Sequence, residues 1–136
     1  MTAVIDSGVL YALVDAADAL HAECVAALEA EPDTIVVPMA TLPEVSTLIA
    51  SRLGASNETA FVRHLIDSDW RLEPLANGDL ARVLGMMAEH EIGFADAAVA
   101  TIAERMNATR IYTLDRRHFE RIRPRHIDRF ELLPAR

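Results

Sequence analysis

Short apolar runs alternate with segments of helical apolar spacing along the whole chain, and this alternation limits the possible folds most strongly. Strands are predicted at residues 3–5, 34–37 and 110–114, with weaker candidates at 70–73 and 130–133. Such an order predicts an α/β protein, a three-layer α/β/α sandwich with a mainly parallel central sheet. With 136 residues, 51% of them hydrophobic, one domain covering residues 1–136 is expected.

The chain has no lysine, since all thirteen basic residues are arginines. This excludes a Walker-type phosphate loop and a Schiff-base enzyme, and it argues against a receiver domain. Cys24 is the only cysteine, so an intrachain disulfide and a thiolate zinc site are excluded as well, and the five histidines are scattered. Metal binding through carboxylate oxygens remains open.

Charge is divided unevenly along the chain. Residues 1–104 carry four arginines and seventeen acids, a net −13, whereas residues 105–136 carry nine arginines and four acids, a net +5. This division suits a site where carboxylates hold cations and nearby arginines meet phosphates, although a solvated arginine surface explains it equally well. No apolar run approaches the ~20 residues of a membrane span, and no basic leader precedes the first strand. A cytoplasmic protein without a membrane partner is therefore expected.

Four acidic residues lie near the predicted carboxyl ends of strands. Asp6 follows the first strand and Asp115 follows a late one. Glu44 lies in the first turn of the helix after the second strand, and Asp96 opens a later helix. Because ligands of parallel α/β sheets bind outside the carboxyl ends of the strands, we expect these side chains to meet at one edge.

Each acid also has a purely structural interpretation. Asp6 and Asp115 could be helix N-caps, Asp96 is favourable in a first turn, and the Thr41–Glu44 segment matches a T-x-x-E capping box. Four like charges crowded at one edge would nevertheless need a compensating cation. Both interpretations remain open from the residue pattern.

Mg²⁺ or Mn²⁺ would supply that charge, because both ions prefer carboxylate and water oxygens. Such an ion activates water and neutralises charge on a phosphodiester, so metal-dependent phosphodiester hydrolysis is the predicted reaction. A pair of sugar-hydrolysing carboxylates is a competing interpretation, although two acids would suffice for it.

Neighbouring polar residues are candidates for supporting roles. The hydroxyls of Ser7 and Thr113 could orient carboxylates, although capping and strand propensity explain them nearly as well. Arg116 and Arg117 could contact RNA phosphates, with a solvated helix face as the alternative. His118 has no identifiable partner in the sequence and receives no predicted role.

Four segments together resemble the PIN-domain nucleases, and in particular the VapC-type toxins of bacterial toxin–antitoxin pairs. They are Val4–Ser7, Pro43–Val45, Phe94–Ala98 and Thr113–Phe119. The resemblance covers the whole chain in the family's order of acids, and the Phe-Ala-Asp-Ala-Ala and Thr-Leu-Asp-Arg-Arg-His-Phe strings are its most specific parts.

The resemblance implies a Mg²⁺- or Mn²⁺-dependent endoribonuclease that inhibits translation, is neutralised by a cognate antitoxin protein and forms a homodimer. Carried over by position, the acidic quartet would be Asp6, Glu44, Asp96 and Asp115, which hold the metal and carry catalysis. Its RNA substrate would be cut at exposed single-stranded positions.

Two other functions remain open. One is a housekeeping RNA-processing or DNA-acting PIN nuclease without toxicity. The other is a non-catalytic binding module in which the acids only cap helices, and metal-dependent RNA cleavage would separate it from both nucleases. A haloacid-dehalogenase-type phosphatase is disfavoured, because Asp6-Ser7-Gly8 lacks the second aspartate of the D-x-D pattern.

Overall fold

A five-stranded, all-parallel sheet forms the centre of the protein in the computed structural model, which describes residues 1–135. Its strands are β1 (Thr2–Ile5), β2 (Thr34–Pro38), β3 (Arg71–Glu73), β4 (Arg110–Tyr112) and β5 (Glu131–Leu133). Their spatial order is β3-β2-β1-β4-β5, so both weak strand candidates form the sheet edges. The first strand of the chain therefore lies in the middle, with its carboxyl end beside that of β4.

Strand register follows from apolar side chains that alternate between two covered faces. Ala3 pairs with Ile35 of β2 and with Arg110 of β4, and Val4 pairs with Val36 and Ile111. A one-residue slip would move each side chain to the opposite face, so burial on both faces specifies this register.

Seven helices flank the sheet within residues 1–135. They are α1 (Ser7–Val14), α2 (His21–Glu29), α3 (Leu42–Leu53), α4 (Ala55–Asp67), α5 (Asp79–His90), α6 (Phe94–Arg105) and α7 (Arg116–Arg121). A 3₁₀ turn, Met39–Thr41, leads directly into α3, and Gly54 separates α3 from α4 with a φ of +94°, a conformation that favours glycine. None of these helices has the length and apolar character needed to cross a bilayer.

Two separate apolar cores confirm the three-layer arrangement. Val4, Val36 and Ile111 point into a core built with α5, α6 and α7. Ala3 and Ile5, which alternate with Val4, point into a second core built with α1 to α4. The predicted α/β/α sandwich is therefore confirmed, and its sheet is wholly rather than mainly parallel.

Several arginines are engaged in ion pairs with acids. Arg110 on β4 binds Glu31 at 2.8 Å and also binds Asp33. Although burial raises the pKa of Glu31, hydrogen bonds from Arg110 and Tyr112 outweigh it and lower that pKa to about 2. Similar pairs join α5 and α6, where Arg82 contacts Glu104 and Arg105 contacts Asp79. Arg105 also contacts Glu73 at the end of β3. These arginines stabilise packing between elements and are not free for ligands.

Candidate active site

Asp6 is a buried carboxylate at the junction of β1 and α1. Asp6 is 6% exposed. Its Oδ1 accepts a hydrogen bond from the Ser7 amide at 2.8 Å, and its Oδ2 accepts one from the Thr113 hydroxyl at 2.9 Å. The Ser7 bond caps α1, so the capping interpretation of Asp6 is confirmed. Capping occupies one oxygen only, which leaves the carboxylate available for a second role.

Burial is the main reason why the pKa of Asp6 rises from 3.8 to about 6. Hydrogen bonds from Ser7 and Thr113 oppose the rise, and the negative charges of Asp96 and Glu44 add to it. These two acids therefore lie close enough for their fields to reach Asp6. The structure thus brings three of the four predicted acids into electrostatic contact.

Thr113 connects two of the acids through one hydroxyl group. It follows β4 and is buried, its Oγ1 donates to Asp6, and the same oxygen accepts the Asp115 amide at 3.0 Å. This double contact requires both the strand end and the turn after it to be in place. The predicted supporting position of Thr113 is consistent with that geometry.

Asp115 occupies the N-cap position of α7, but its side chain makes no capping hydrogen bond. Its side chain, 45% exposed, points to His118, whose Nδ1 lies 2.8 Å from the Asp115 Oδ2. The same nitrogen lies 2.7 Å from the Asp96 Oδ2. One imidazole therefore joins two carboxylates that belong to different helix ends.

His118 is the site residue that the sequence analysis missed. Its spacing from Asp115 is three residues, which on a helix puts two side chains on neighbouring positions of one face. That spacing was a usable signal. The contact with Asp96, 22 residues away in the chain, had no local signal.

Asp96 lies in the first turn of α6, which packs against β1 and the 3₁₀ turn. Its side chain is 18% exposed and makes no capping bond. The first-turn position is favourable for a negative charge, as the sequence analysis expected. Packing of α6 against the central strand then directs this charge toward Asp6.

Glu44 lies in the first turn of α3 and is exposed. The predicted capping box is wrong, because Thr41 has a helical backbone and makes no side-chain cap. Its hydroxyl instead donates to the Pro38 carbonyl at 2.8 Å, inside the 3₁₀ turn. Glu44 is thus connected to the other acids by charge alone, as one of the groups that raise the pKa of Asp6.

The two candidate phosphate-binding arginines have different surroundings. The Nη1 of Arg116 donates to the carbonyls of Leu132 and Pro134, each at 3.1 Å, and so attaches α7 to the end of β5. Arg117 is exposed to solvent. This difference favours Arg117 over Arg116 as a phosphate contact.

A continuous chain of contacts runs from Asp6 through Thr113 to Asp115, and through His118 to Asp96. Asp96, Asp115 and His118 each offer one ligand atom, and the three atoms lie within 4.8 Å of one another. Carboxylate oxygens are the ligands that Mg²⁺ and Mn²⁺ prefer, whereas an imidazole nitrogen is a ligand for softer transition-metal ions. The residues present therefore fit a divalent cation.

Comparisons with known proteins agree with this architecture. The PIN domain model matches residues 3–123. Ribonuclease VapC26 of Mycobacterium tuberculosis is 34% identical over 134 residues, which cover 96% of this chain and 99% of VapC26.

Solved structures with low sequence identity share the fold. The Mycobacterium tuberculosis toxin VapC20, described as cleaving the sarcin–ricin loop, has a TM-score of 0.76 at 20% identity, covering 83% of this chain and 89% of its own. The VapBC2 structure from Rickettsia felis, bound to a promoter DNA fragment, has a TM-score of 0.73 at 15% identity, covering 97% and 98%. Together with the family match and the 34% identical relative, they establish that this chain belongs to the PIN domain family.

Proposed function

We propose that this chain is a metal-dependent endoribonuclease that acts as the toxin of a toxin–antitoxin pair and inhibits translation by hydrolysing RNA phosphodiester bonds. The observation that carries the proposal is the buried Asp6 carboxylate, whose pKa is raised to about 6 by burial and by neighbouring acids. Within residues 1–135 no lysine or arginine side chain binds it. A desolvated carboxylate beside like charges is typical of a cation site.

The residues that would hold Mg²⁺ or Mn²⁺ are the predicted quartet, Asp6, Glu44, Asp96 and Asp115. When bound, such an ion supplies activation of water and neutralisation of charge on the phosphodiester. The proposal assigns the catalytic role to the same four acids.

Thr113 and His118 are the chain's own positioning groups. The Thr113 hydroxyl fixes one Asp6 oxygen, so the carboxylate cannot rotate freely. The His118 imidazole holds the side chains of Asp96 and Asp115 close together, although both are negative. Groups that orient ligands in this way typically change metal affinity by about 10- to 100-fold when removed.

The toxin part of the proposal is supported by the VapC26 relative and by neighbours solved as toxin–antitoxin complexes. A cognate antitoxin would cover the acidic cleft, and an arginine from it would pair well with Asp6 or Asp96. We further propose a cytoplasmic homodimer in which residues 1–136 form one nuclease domain.

The test is incubation of the purified chain with total RNA, with Mn²⁺ or with excess chelator. Cleavage is expected only with the metal, and Asp96→Asn should abolish it while the folded chain persists. Cleavage in chelator would refute metal dependence, whereas no cleavage under any condition would favour a binding module.

Growth separates the toxin from a housekeeping nuclease. Production of the active chain alone is expected to arrest growth, and co-production of the antitoxin is expected to restore it. Healthy growth at a high level of active chain would contradict the toxin assignment.

A further inference from the structure

Five exposed arginines are concentrated after the candidate active site. We call them the arginine strip: Arg117, Arg121, Arg123, Arg125 and Arg129. Among residues 1–135 none of their side chains forms an ion pair with an acid, unlike Arg82, Arg105 and Arg110. Five exposed arginines thus lie within thirteen residues, although the Arg123 guanidinium donates to two backbone carbonyls and the charge of Arg125 acts on Glu104.

Backbone geometry sends these side chains outward. Arg117 and Arg121 are four residues apart on α7, which places them on one helix face. After the helix the chain is extended at Ile122, and burial alternates, with Ile122 and Pro124 inside and Arg123 and Arg125 outside. Alternate residues of an extended segment project to the same side, about 6 to 7 Å apart.

The strip begins next to the site in the sequence. Arg117 directly precedes His118, which contacts Asp96 and Asp115. Arg123 is further held by donating to the Glu120 carbonyl at 2.9 Å, so its guanidinium does not swing freely. The Arg125 amide donates to Glu104, near the end of α6 that is far from Asp96, so the strip leads away from the site. A ligand that lay along α7 into the acidic site would therefore contact the strip first.

Charge favours a polyanion as that ligand. Residues 116–129 contain six arginines and two acids, a net +4, whereas the rest of the chain contains seven arginines and nineteen acids, a net −12. A nucleic acid is therefore repelled by most of the surface and attracted to this segment. Arginine also matches phosphate geometry with two parallel hydrogen bonds.

The strip lacks features of a protein-binding surface. Its intervening apolar residues, Ile122 and Pro124, are buried, so no apolar side chain is exposed between Arg121 and Arg125. Protein interfaces obtain most of their affinity from buried aromatic and apolar anchors, whereas backbone recognition of nucleic acids uses phosphate contacts.

We propose that the arginine strip binds the phosphodiester backbone of the RNA substrate on one side of the scissile bond and positions that bond at the acidic site. The proposal rests on the proposed ribonuclease function. It concerns affinity and placement, and it assigns no chemistry to the arginines.

The first experiment measures binding without cleavage. A labelled single-stranded RNA is titrated with the full chain in chelator, for wild type and for the triple variant Arg121→Gln, Arg123→Gln, Arg125→Gln. Each lost phosphate contact should reduce the slope of log K against log salt by about 0.7, so the triple variant should lose about 2. Its affinity at low salt should fall roughly 30-fold or more. Arg63→Gln, which removes an exposed arginine of α4, is the control and should change affinity less than twofold.

The second experiment measures cleavage with Mn²⁺. For a long RNA the triple variant should raise KM and leave kcat unchanged, whereas for an RNA of a few nucleotides both constants should match wild type. Unchanged melting temperature would confirm that the variant is folded.

Three results would overturn the proposal. The triple variant could bind RNA with wild-type affinity and cleave it with wild-type KM, or Arg63→Gln could lose as much RNA affinity per removed charge as the triple variant does. The third is a triple variant that no longer binds the antitoxin but still binds RNA like wild type. If wild-type chain binds RNA through the strip but never cleaves it, the nuclease function fails, and only RNA binding by the strip stands, without a scissile bond to position. If wild-type chain cleaves RNA and the triple variant has the same KM, only the strip proposal fails.

Discussion

Replacing Asp6 with Asn removes the most strongly desolvated negative charge of the site. The pKa of Asp6 is about 6 in the folded chain and 3.8 as the reference value. Because the folded value is higher, the folded state holds the proton more tightly than the unfolded state does. The contribution of Asp6 to the free energy of unfolding is therefore largest below pH 4 and is lost as pH rises through 6.

The size of this effect follows from the shift. A change of 2.2 pKa units corresponds to roughly 3 kcal/mol, at 1.36 kcal/mol per unit. Asp6→Asn should show no such fall, but its single acceptor oxygen cannot serve both Ser7 and Thr113, which costs about 1 kcal/mol. The variant should thus be less stable than wild type by about 0.5 kcal/mol at pH 4 and more stable by about 2 kcal/mol at pH 7.5.

Urea unfolding of both proteins in chelator, at pH values from 4 to 8, measures this difference. The sign of the stability difference should reverse at about pH 4.5. Added Mn²⁺ at pH 7.5 should stabilise wild type more than the variant, because ligand binding to the folded state stabilises it. A constant difference across the pH range would refute the reasoning, since Asp6 would then bear no cost for its charge.

Three other substitutions test neighbouring contacts. Thr113→Val removes the hydroxyl that favours ionised Asp6, so the free energy of unfolding should fall by about 2 kcal/mol at pH 7.5 and by less at pH 4. Urea unfolding at both pH values measures this, and an equal loss at the two would contradict it. His118→Ala should weaken Mn²⁺ binding by about 10-fold or more in calorimetry, because the carboxylates of Asp96 and Asp115 lose the group that holds them together. Tighter Mn²⁺ binding would show instead that the imidazole competes with the ion. Arg110→Met leaves Glu31 without its cation. The lowered pKa of Glu31 contributes stability that is present above pH 4.5 and lost as pH falls toward 2. The variant should therefore lose most of this acid dependence in thermal melts. Acid unfolding identical to wild type would refute that assignment.

Predictions at the site succeeded where position in an element decided the outcome. Asp6 and Asp96 lie where the end of β1 and the start of α6 put them, and both approach the carboxyl edge of the sheet. Predictions of side-chain capping failed where another hydrogen-bonding partner lay within reach of the side chain. The Thr41 hydroxyl donates to the Pro38 carbonyl rather than capping α3. The Asp115 carboxylate contacts the His118 imidazole and makes no capping hydrogen bond to α7.

The sequence by itself determined the α/β/α layers, the positions of the strands and the order of the acids, because apolar periodicity and strand ends are local properties. Only the tertiary structure decided that Thr113 and His118 connect the acids. The Thr113–Asp6 bond joins residues 107 positions apart, and the His118–Asp96 contact joins residues 22 apart. It also decided that Arg116 is used by the carbonyls after α7, while its neighbour Arg117 remains exposed. Such choices depend on distances between packed elements, and no pattern within a single segment encodes those distances.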